Sequence, residues 1–193
     1  MRRLPNDPSA RSTARILKVN HAGEYGAIRI YRAQLWMAKR FYPDLVPFLA
    51  ETLGHELRHA SLFRDAMPAH AARPCRIMAL WGNGGLVLGF GTALLGRQGI
   101  WICTAAVEGT VHRHLEDQLV FLHMSHPQLH ALIDGIKDEE LGHLHHAENR
   151  IVTQALWARV LHRVVAGATE AVIWLSTWGD SNCMKRELEM AKR

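Results

Sequence analysis

Two short stretches decide how this chain folds: Glu-Leu-Arg-His at residues 56–59 and Glu-Leu-Gly-His at residues 140–143. In each stretch a glutamate precedes a histidine by three positions, and residues three apart share one face of an α-helix. Two more glutamates, Glu24 and Glu108, stand in the middle of apolar stripes that have helical spacing. Each of these lies 32 residues before the glutamate of one stretch, so the chain carries two similar halves.

Turn residues lie midway between the paired glutamates of each half. Phe-Tyr-Pro at residues 41–43 stands near the midpoint of the first pair, and Ser-His-Pro at residues 125–127 stands near the midpoint of the second. Residues that are equidistant from the turn of an antiparallel hairpin lie level, because both helices rise by the same amount per residue. The pattern therefore predicts an all-α four-helix bundle with a long hydrophobic crossover and one or two extra helices.

The composition bounds the class of protein. The chain has 193 residues, of which 48% are apolar and 21% are charged, so it can bury the core of one domain. Its three cysteines lack Cys-x-x-Cys spacing, which excludes a disulfide framework or a cysteine zinc site and favours a reducing compartment. The net charge of +5 is spread along the chain, which fits an anionic membrane surface and makes nucleic acid an unexpected partner.

Domain limits follow from the same pattern. We expect a flexible N-terminus at residues 1–12, a single helical-bundle domain at 13–178 and a polar C-terminal tail at 179–193. Asp44 is expected to cap the second helix. Residues 77–96 are twenty uncharged residues, six of them glycine. Two interpretations of this stretch stay open: a partly exposed hydrophobic crossover, or an ordinary buried core segment.

The four glutamates indicate metal chemistry. Four carboxylates that face one another inside a bundle would each cost several kcal/mol to bury without a counter-charge. Two divalent cations would neutralise them, with two imidazoles as further ligands, and such oxygen-rich sites suit iron or manganese. One Glu from each of two helices, with Glu-x-x-His from each of the other two, is the arrangement of dinuclear carboxylate bundles.

A second motif overlaps the first stretch. His-Glu-Leu-Arg-His at residues 55–59 matches H-E-x-x-H, in which two histidines bind zinc and the glutamate is the general base of a peptidase. That hypothesis leaves Glu140 and His143 without a role. The two hypotheses differ at His55, which we expect to be a non-ligand that points off the metal-facing stripe.

Several segments resemble one known family. Asn-His-Ala-Gly-Glu-Tyr-Gly-Ala at residues 20–27 resembles the opening motif of the demethoxyubiquinone hydroxylases, which are ferritin-like di-iron carboxylate enzymes of ubiquinone biosynthesis. Further segments that are similar to the family lie at residues 91–96, 103–108, 138–141 and 171–176. The resemblance covers about residues 15–178 and predicts that the four-helix bundle is ferritin-like.

The resemblance implies a monooxygenase that hydroxylates the ring of a demethoxyubiquinol with dioxygen, using two iron ions per chain. It also implies that Glu56 and Glu140 bridge the ions, while Glu24 and Glu108 are terminal ligands or shift on reduction. The metal ligands and catalytic residues implied in this way are Glu24, Glu56, His59, Glu108, Glu140 and His143.

The polyprenyl tail of such a substrate implies a membrane partner. We expect a peripheral membrane protein on the cytoplasmic face of the cell membrane, or on the matrix face of an inner mitochondrial membrane in a eukaryote. The crossover at residues 77–96 and the last helix are the expected entry for the tail. The electron donor stays open, and other proteins of ubiquinone biosynthesis or a second copy of the chain are further candidate partners.

Two other functions stay open from the residues. One is a ferritin-like iron- or oxygen-handling protein without an organic substrate, and the other is a quinone-binding assembly module. The chain departs from the family pattern at Leu115, where a tyrosine commonly follows the histidine. Tyr25 and Tyr31 are interpreted either as pocket residues or as core, and His145 and His146 as surface or outer residues.

Overall fold

The computed structural model describes residues 8–123 and 126–179, which form six α-helices and two short 3₁₀ turns. The helices are α1 Pro8–Phe41, α2 Val46–Ala66, α3 Met78–Leu94, α4 Gly96–Leu122, α5 Pro127–Glu148 and α6 Leu156–Thr177. The all-α prediction is confirmed for this part of the chain. Residues 1–7, 124–125 and 180–193, on which parts of the predicted turn and domain limits rest, lie outside the described residues.

Two helical hairpins build the bundle. Helix α1 packs against α2, and α4 packs against α5. The remaining helices each cover the first helix of a hairpin, since α3 packs along α1 and α6 packs along α4. This is the predicted ferritin-like bundle, with α3 as the hydrophobic crossover and α6 as one extra helix.

Two apolar clusters fill the bundle on either side of its centre. One cluster contains Leu17, Phe63 and Leu122 and lies toward the α4–α5 turn. The other contains Leu49 and Ile100 and lies toward the α1–α2 turn. The glutamates of the four bundle helices therefore lie between two dry layers.

Two local predictions differ from the structure. The described part of helix α1 starts at Pro8, so the helix already includes residues 8–12, ahead of the predicted domain limit at residue 13. Asp44 does not cap α2, because a 3₁₀ turn, Pro43–Leu45, places Leu45 at the cap position. The Asp44 carboxylate instead accepts two hydrogen bonds from Arg97, at 2.8 and 2.7 Å.

Helix α3 has one face buried against α1 and one face exposed, so each interpretation of the uncharged stretch holds for one face. A Cβ atom on Gly89 would lie 2.5 Å from the Ile30 carbonyl oxygen and 2.8 Å from Ala33 Cβ, so glycine allows α3 to lie close against α1. The opposite face exposes Leu80, Val87 and other apolar side chains. None of the described helices combines the length and apolarity needed to cross a membrane.

We predict that Gly89→Ala destabilises the fold by about 1–3 kcal/mol, because the added methyl group meets backbone atoms that cannot move aside. The matched control is Gly91→Ala on the same helix, where nothing lies within 4 Å of the added Cβ. That variant should gain up to about 1 kcal/mol from helix propensity. Chemical denaturation of both variants measures the two effects, and equal stabilities would contradict the close packing of α3 on α1.

Candidate metal centre

Four helices bring the six predicted site residues together in the centre of the bundle. Glu24 comes from α1, Glu108 from α4, Glu56 with His59 from α2, and Glu140 with His143 from α5. All six side chains are buried. The predicted level register of the two hairpins is confirmed by this convergence.

The six residues form two overlapping groups that share Glu56 and Glu140. The first group adds Glu24 and His59 to the shared pair, and in it the potential ligand atoms all lie within 4.8 Å of one another. The second group adds Glu108 and His143 under the same distance limit. Two neighbouring metal ions would fit this arrangement of two groups with a shared pair of carboxylates.

Buried polar atoms without hydrogen bonds point to the same conclusion. Glu56 Oε1, His59 Nδ1 and Glu140 Oε1 are buried and form no hydrogen bond, although His59 Nδ1 lies 2.9 Å from Glu140 Oε1. An unsatisfied buried polar atom is costly, and native proteins contain few of them. Cations bound between these atoms would satisfy them, and carboxylates with imidazoles are suitable donors for iron or manganese.

The carboxylates titrate abnormally in the metal-free chain. Burial raises the pKa of Glu24 to about 7. Burial and the neighbouring carboxylates hold the pKa of Glu56 and of Glu108 well above the usual range. Burial would also raise the pKa of Glu140, but the adjacent His143 and His59 imidazoles outweigh that effect and lower it. Protons therefore neutralise part of the centre, and metal binding would displace them.

A second layer of residues holds the histidines. His59 Nε2 lies 3.2 Å from Glu139 Oε2, and Arg58 donates to the same carboxylate oxygen. His143 Nε2 lies 3.0 Å from His55 Nδ1. His55 is in neither group that could hold a metal ion, but it does not point away as expected, because α2 and α5 approach closely enough for it to reach across.

The sequence reasoning missed two contacts of the centre, that of Glu139 with His59 and that of Tyr31 with Glu108. Glu139 directly precedes Glu140, as His55 directly precedes Glu56, so the internal repeat relates Glu139 to His55. The repeat could therefore have indicated that both residues lie beside the centre. Tyr31, interpreted as pocket or core, is buried and donates its hydroxyl hydrogen to Glu108 Oε1.

An apolar cavity of about 480 Å³ leads to the glutamates. Most of its lining residues come from α1, α3, α4 and α6, and the buried Glu24, Glu56, Glu108 and Glu140 also line it. Two polar residues of the lining form hydrogen bonds with each other, since the Asn20 and Gln118 amides exchange hydrogen bonds of 2.7 and 3.0 Å.

The cavity lining includes some of the other residues discussed from the sequence and lacks others. His114 also lines it and lies 2.8 Å from Glu170. Tyr25 and Tyr31 are not among its lining residues. Leu115, where the family commonly has tyrosine, is a buried residue that both lines the cavity and joins the apolar cluster near the α4–α5 turn.

A bundle of two helical hairpins around a buried carboxylate–histidine centre defines a ferritin-like protein with a candidate dinuclear metal site. The chain belongs to the family described as ubiquinone biosynthesis protein COQ7, whose model matches residues 11–176.

Curated relatives agree with this membership. The chain is 37% identical to the 3-demethoxyubiquinol 3-hydroxylase of Rhodospirillum rubrum over 175 residues, which are 90% of this chain and 82% of that protein. It is 36% identical to the mitochondrial NADPH-dependent 3-demethoxyubiquinone 3-hydroxylase of Mus musculus over 166 residues, 84% of this chain and 76% of that one. The predicted family is confirmed, and so is its activity class, a hydroxylase of ubiquinone biosynthesis.

We predict that replacing Glu24 by Gln stabilises the metal-free protein as the pH rises. Because folding raises the pKa of Glu24 to about 7, its contribution to stability is complete below the unfolded value of 4.5 and is lost as the pH passes through 7. At pH 8 the free energy of unfolding of the Glu24→Gln variant should exceed that of the wild type by up to about 3 kcal/mol. Near pH 5 the two proteins should differ little.

Thermal unfolding of both proteins without metal at the two pH values measures this difference. The exposed carboxylate of Glu51 offers the control, and Glu51→Gln should follow the wild type at both values. Equal stability of the wild type and Glu24→Gln at pH 8 would show that ionisation of the buried Glu24 does not destabilise the fold.

Proposed function

We propose that this chain hydroxylates the ring of 3-demethoxyubiquinol with dioxygen, by means of two iron ions held at the candidate metal centre. The observation that carries the proposal is the apolar cavity whose lining includes four buried glutamates. A nonpolar quinol can reach the centre through such a cavity, while water finds few polar partners along it. The curated relatives that carry this activity in their names support the choice of substrate.

The six buried side chains divide into two metal positions in this proposal. Glu24 and His59 would hold the ion of one position, Glu108 and His143 would hold the ion of the other, and Glu56 and Glu140 belong to both groups. When bound, the pair of iron ions would supply the activation of dioxygen. The protein's own contribution is to fix the ligands between two dry layers and to keep the reacting volume apolar.

The cavity also argues against a purely iron-handling protein. Pockets for small organic ligands are mostly apolar and of this size, with a few polar groups at the reacting end. An iron store has no use for an apolar cavity, which lowers stability because its lining side chains lose packing contacts. The ferritin-like iron-handling function is therefore the second candidate and is tested below.

Exposed apolar side chains support attachment to a membrane surface. Leu80 and Val87 on α3, with Trp157 and Val164 on α6, are exposed on the two helices that help to line the cavity. The exposed Arg159 and Arg163 on α6 alternate with these apolar residues, which is typical of helices that lie in the membrane interface. We infer that the cavity opens toward lipid, from which a substrate with a polyprenyl tail enters.

The electron donor and the protein partners are not assigned by this arrangement. The mitochondrial relative of Mus musculus is named as NADPH-dependent, while the bacterial relative is not. For this chain a nicotinamide, a flavoprotein or the quinol itself stay as candidate sources of electrons. Attachment to the cytoplasmic face of a cell membrane, or to the matrix face of a mitochondrial inner membrane, follows the same proposal.

We predict that the purified protein binds about two iron ions per chain, and that Glu56→Ala and Glu140→Ala each abolish the dinuclear site. These two carboxylates belong to both groups, so loss of either disturbs both metal positions. Metal analysis with optical spectroscopy measures the effect, with Glu51→Ala on the exposed face of α2 as the control. Full iron retention in both variants would overturn the ligand assignment.

We predict that the chain restores ubiquinone in cells that lack their own enzyme for this step. In air the demethoxy intermediate should disappear, whereas without dioxygen, or with Glu108→Ala, it should persist because one metal position loses a terminal ligand. Quinone extraction and chromatography follow both compounds. Well-expressed, iron-loaded wild type that leaves the intermediate untouched in air, while oxidising free ferrous iron, would favour the iron-handling alternative.

A further inference from the structure

The residue that precedes each Glu-x-x-His glutamate reaches across to the histidine of the opposite helix. Glu139 on α5 lies against His59 of α2, with 3.2 Å between Oε2 and Nε2. His55 on α2 lies against His143 of α5, with 3.0 Å between Nδ1 and Nε2. The two contacts are equivalent under the internal repeat, since both members of one are offset by 84 residues from the members of the other.

The two equivalent contacts differ in charge. Behind His59 stands a carboxylate, which accepts the Nε2 hydrogen and leaves Nδ1 facing Glu24 and Glu140 at 3.9 and 2.9 Å. Behind His143 stands an imidazole, so a metal on His143 Nδ1 requires the Nε2 hydrogen to be donated to a neutral His55 nitrogen. Glu139 Oε2 lies 3.6 Å from His55 Nδ1, beyond hydrogen-bond distance.

A carboxylate behind a ligating histidine increases the basicity of the nitrogen that binds the metal, and a neutral acceptor does so less. Arg58 also donates to Glu139, but its side chain is about half exposed, so water screens part of its charge. The terminal carboxylates add to the difference. Glu108 Oε1 already accepts a hydrogen bond from Tyr31, which withdraws charge from the ligand on the His143 side.

We propose that the two metal positions are unequal, and that the position formed with Glu24 and His59 binds its ion more tightly because Glu139 backs its histidine. This inference rests on the ligand assignment of the proposed function. Glu139 and His55 act through the histidines and are positioning residues, not ligands. The centre therefore loads in order, first at His59 and then at His143.

Titration of the metal-free full-length chain with Mn(II), followed by electron paramagnetic resonance, tests this order. A single bound Mn(II) gives a mononuclear six-line spectrum, and two neighbouring ions give a coupled spectrum. We expect the mononuclear spectrum up to one ion per chain and the coupled spectrum after it, with the first ion bound at least about tenfold more tightly. Glu24→Gln should weaken the first binding event, and Glu108→Gln the second.

The decisive variant is Glu139→Gln, which keeps a hydrogen-bond acceptor behind His59 but removes its charge. It should weaken the first binding event about tenfold and bring the two affinities together. Asp138→Asn removes the same charge from the neighbouring residue, whose side chain is 72% exposed, and should leave both affinities unchanged.

A second variant keeps the inference testable if Glu139→Gln does not fold. The exchange of His55→Glu with Glu139→His conserves composition and moves the carboxylate behind His143. The tighter position should move with it, so that Glu108→Gln, rather than Glu24→Gln, now weakens the first event.

Two outcomes would overturn the inference while the proposed function stands: simultaneous loading of two ions by the wild type, or an unchanged affinity gap in Glu139→Gln. A chain that binds no Mn(II) and no Fe(II) would overturn the proposed function together with it.

Discussion

Burial of four carboxylates at one level of a helical bundle is the constraint on which the rest of this structure depends. Charges at such short separation in a dry interior repel one another strongly, and each also loses its hydration. In the metal-free chain protons relieve part of this cost, as the raised pKa of Glu24, at about 7, indicates. The two apolar layers above and below the centre supply the burial energy that keeps the helices together despite it.

The internal repeat extends beyond the two hairpins. Each hairpin is followed by an apolar helix that packs on the hairpin's first helix, so α1–α2–α3 and α4–α5–α6 are equivalent units. The cavity lies between α1, α3, α4 and α6, where the two units meet. The added helices thus cover the outer faces of the bundle and also line the apolar cavity beside the buried glutamates.

The two units differ in the residues that surround the candidate metal centre. Position 139 holds a carboxylate where its counterpart, position 55, holds an imidazole, and Tyr31 contacts Glu108. The two units also differ in how their third helices pack, since Gly85 and Gly89 bring α3 against α1 at backbone distance. A repeat can therefore supply six candidate ligands by duplication, while substitutions around them make the two halves of the site distinct.

The sequence by itself determined the helical class, the pairing of the helices and the six residues that converge. Helical periodicity dictates which side chains share a face, and turns midway between paired glutamates dictate which of them lie level. Only tertiary structure decided that Glu139 reaches His59, that His55 contacts His143 and that a cavity leads to the centre. These features depend on the separation and rotation of helices about 80 residues apart in the chain, and packing sets both. The role of Asp44 was settled in the same way, because the extent of the preceding 3₁₀ turn decides which residue stands at the cap of α2.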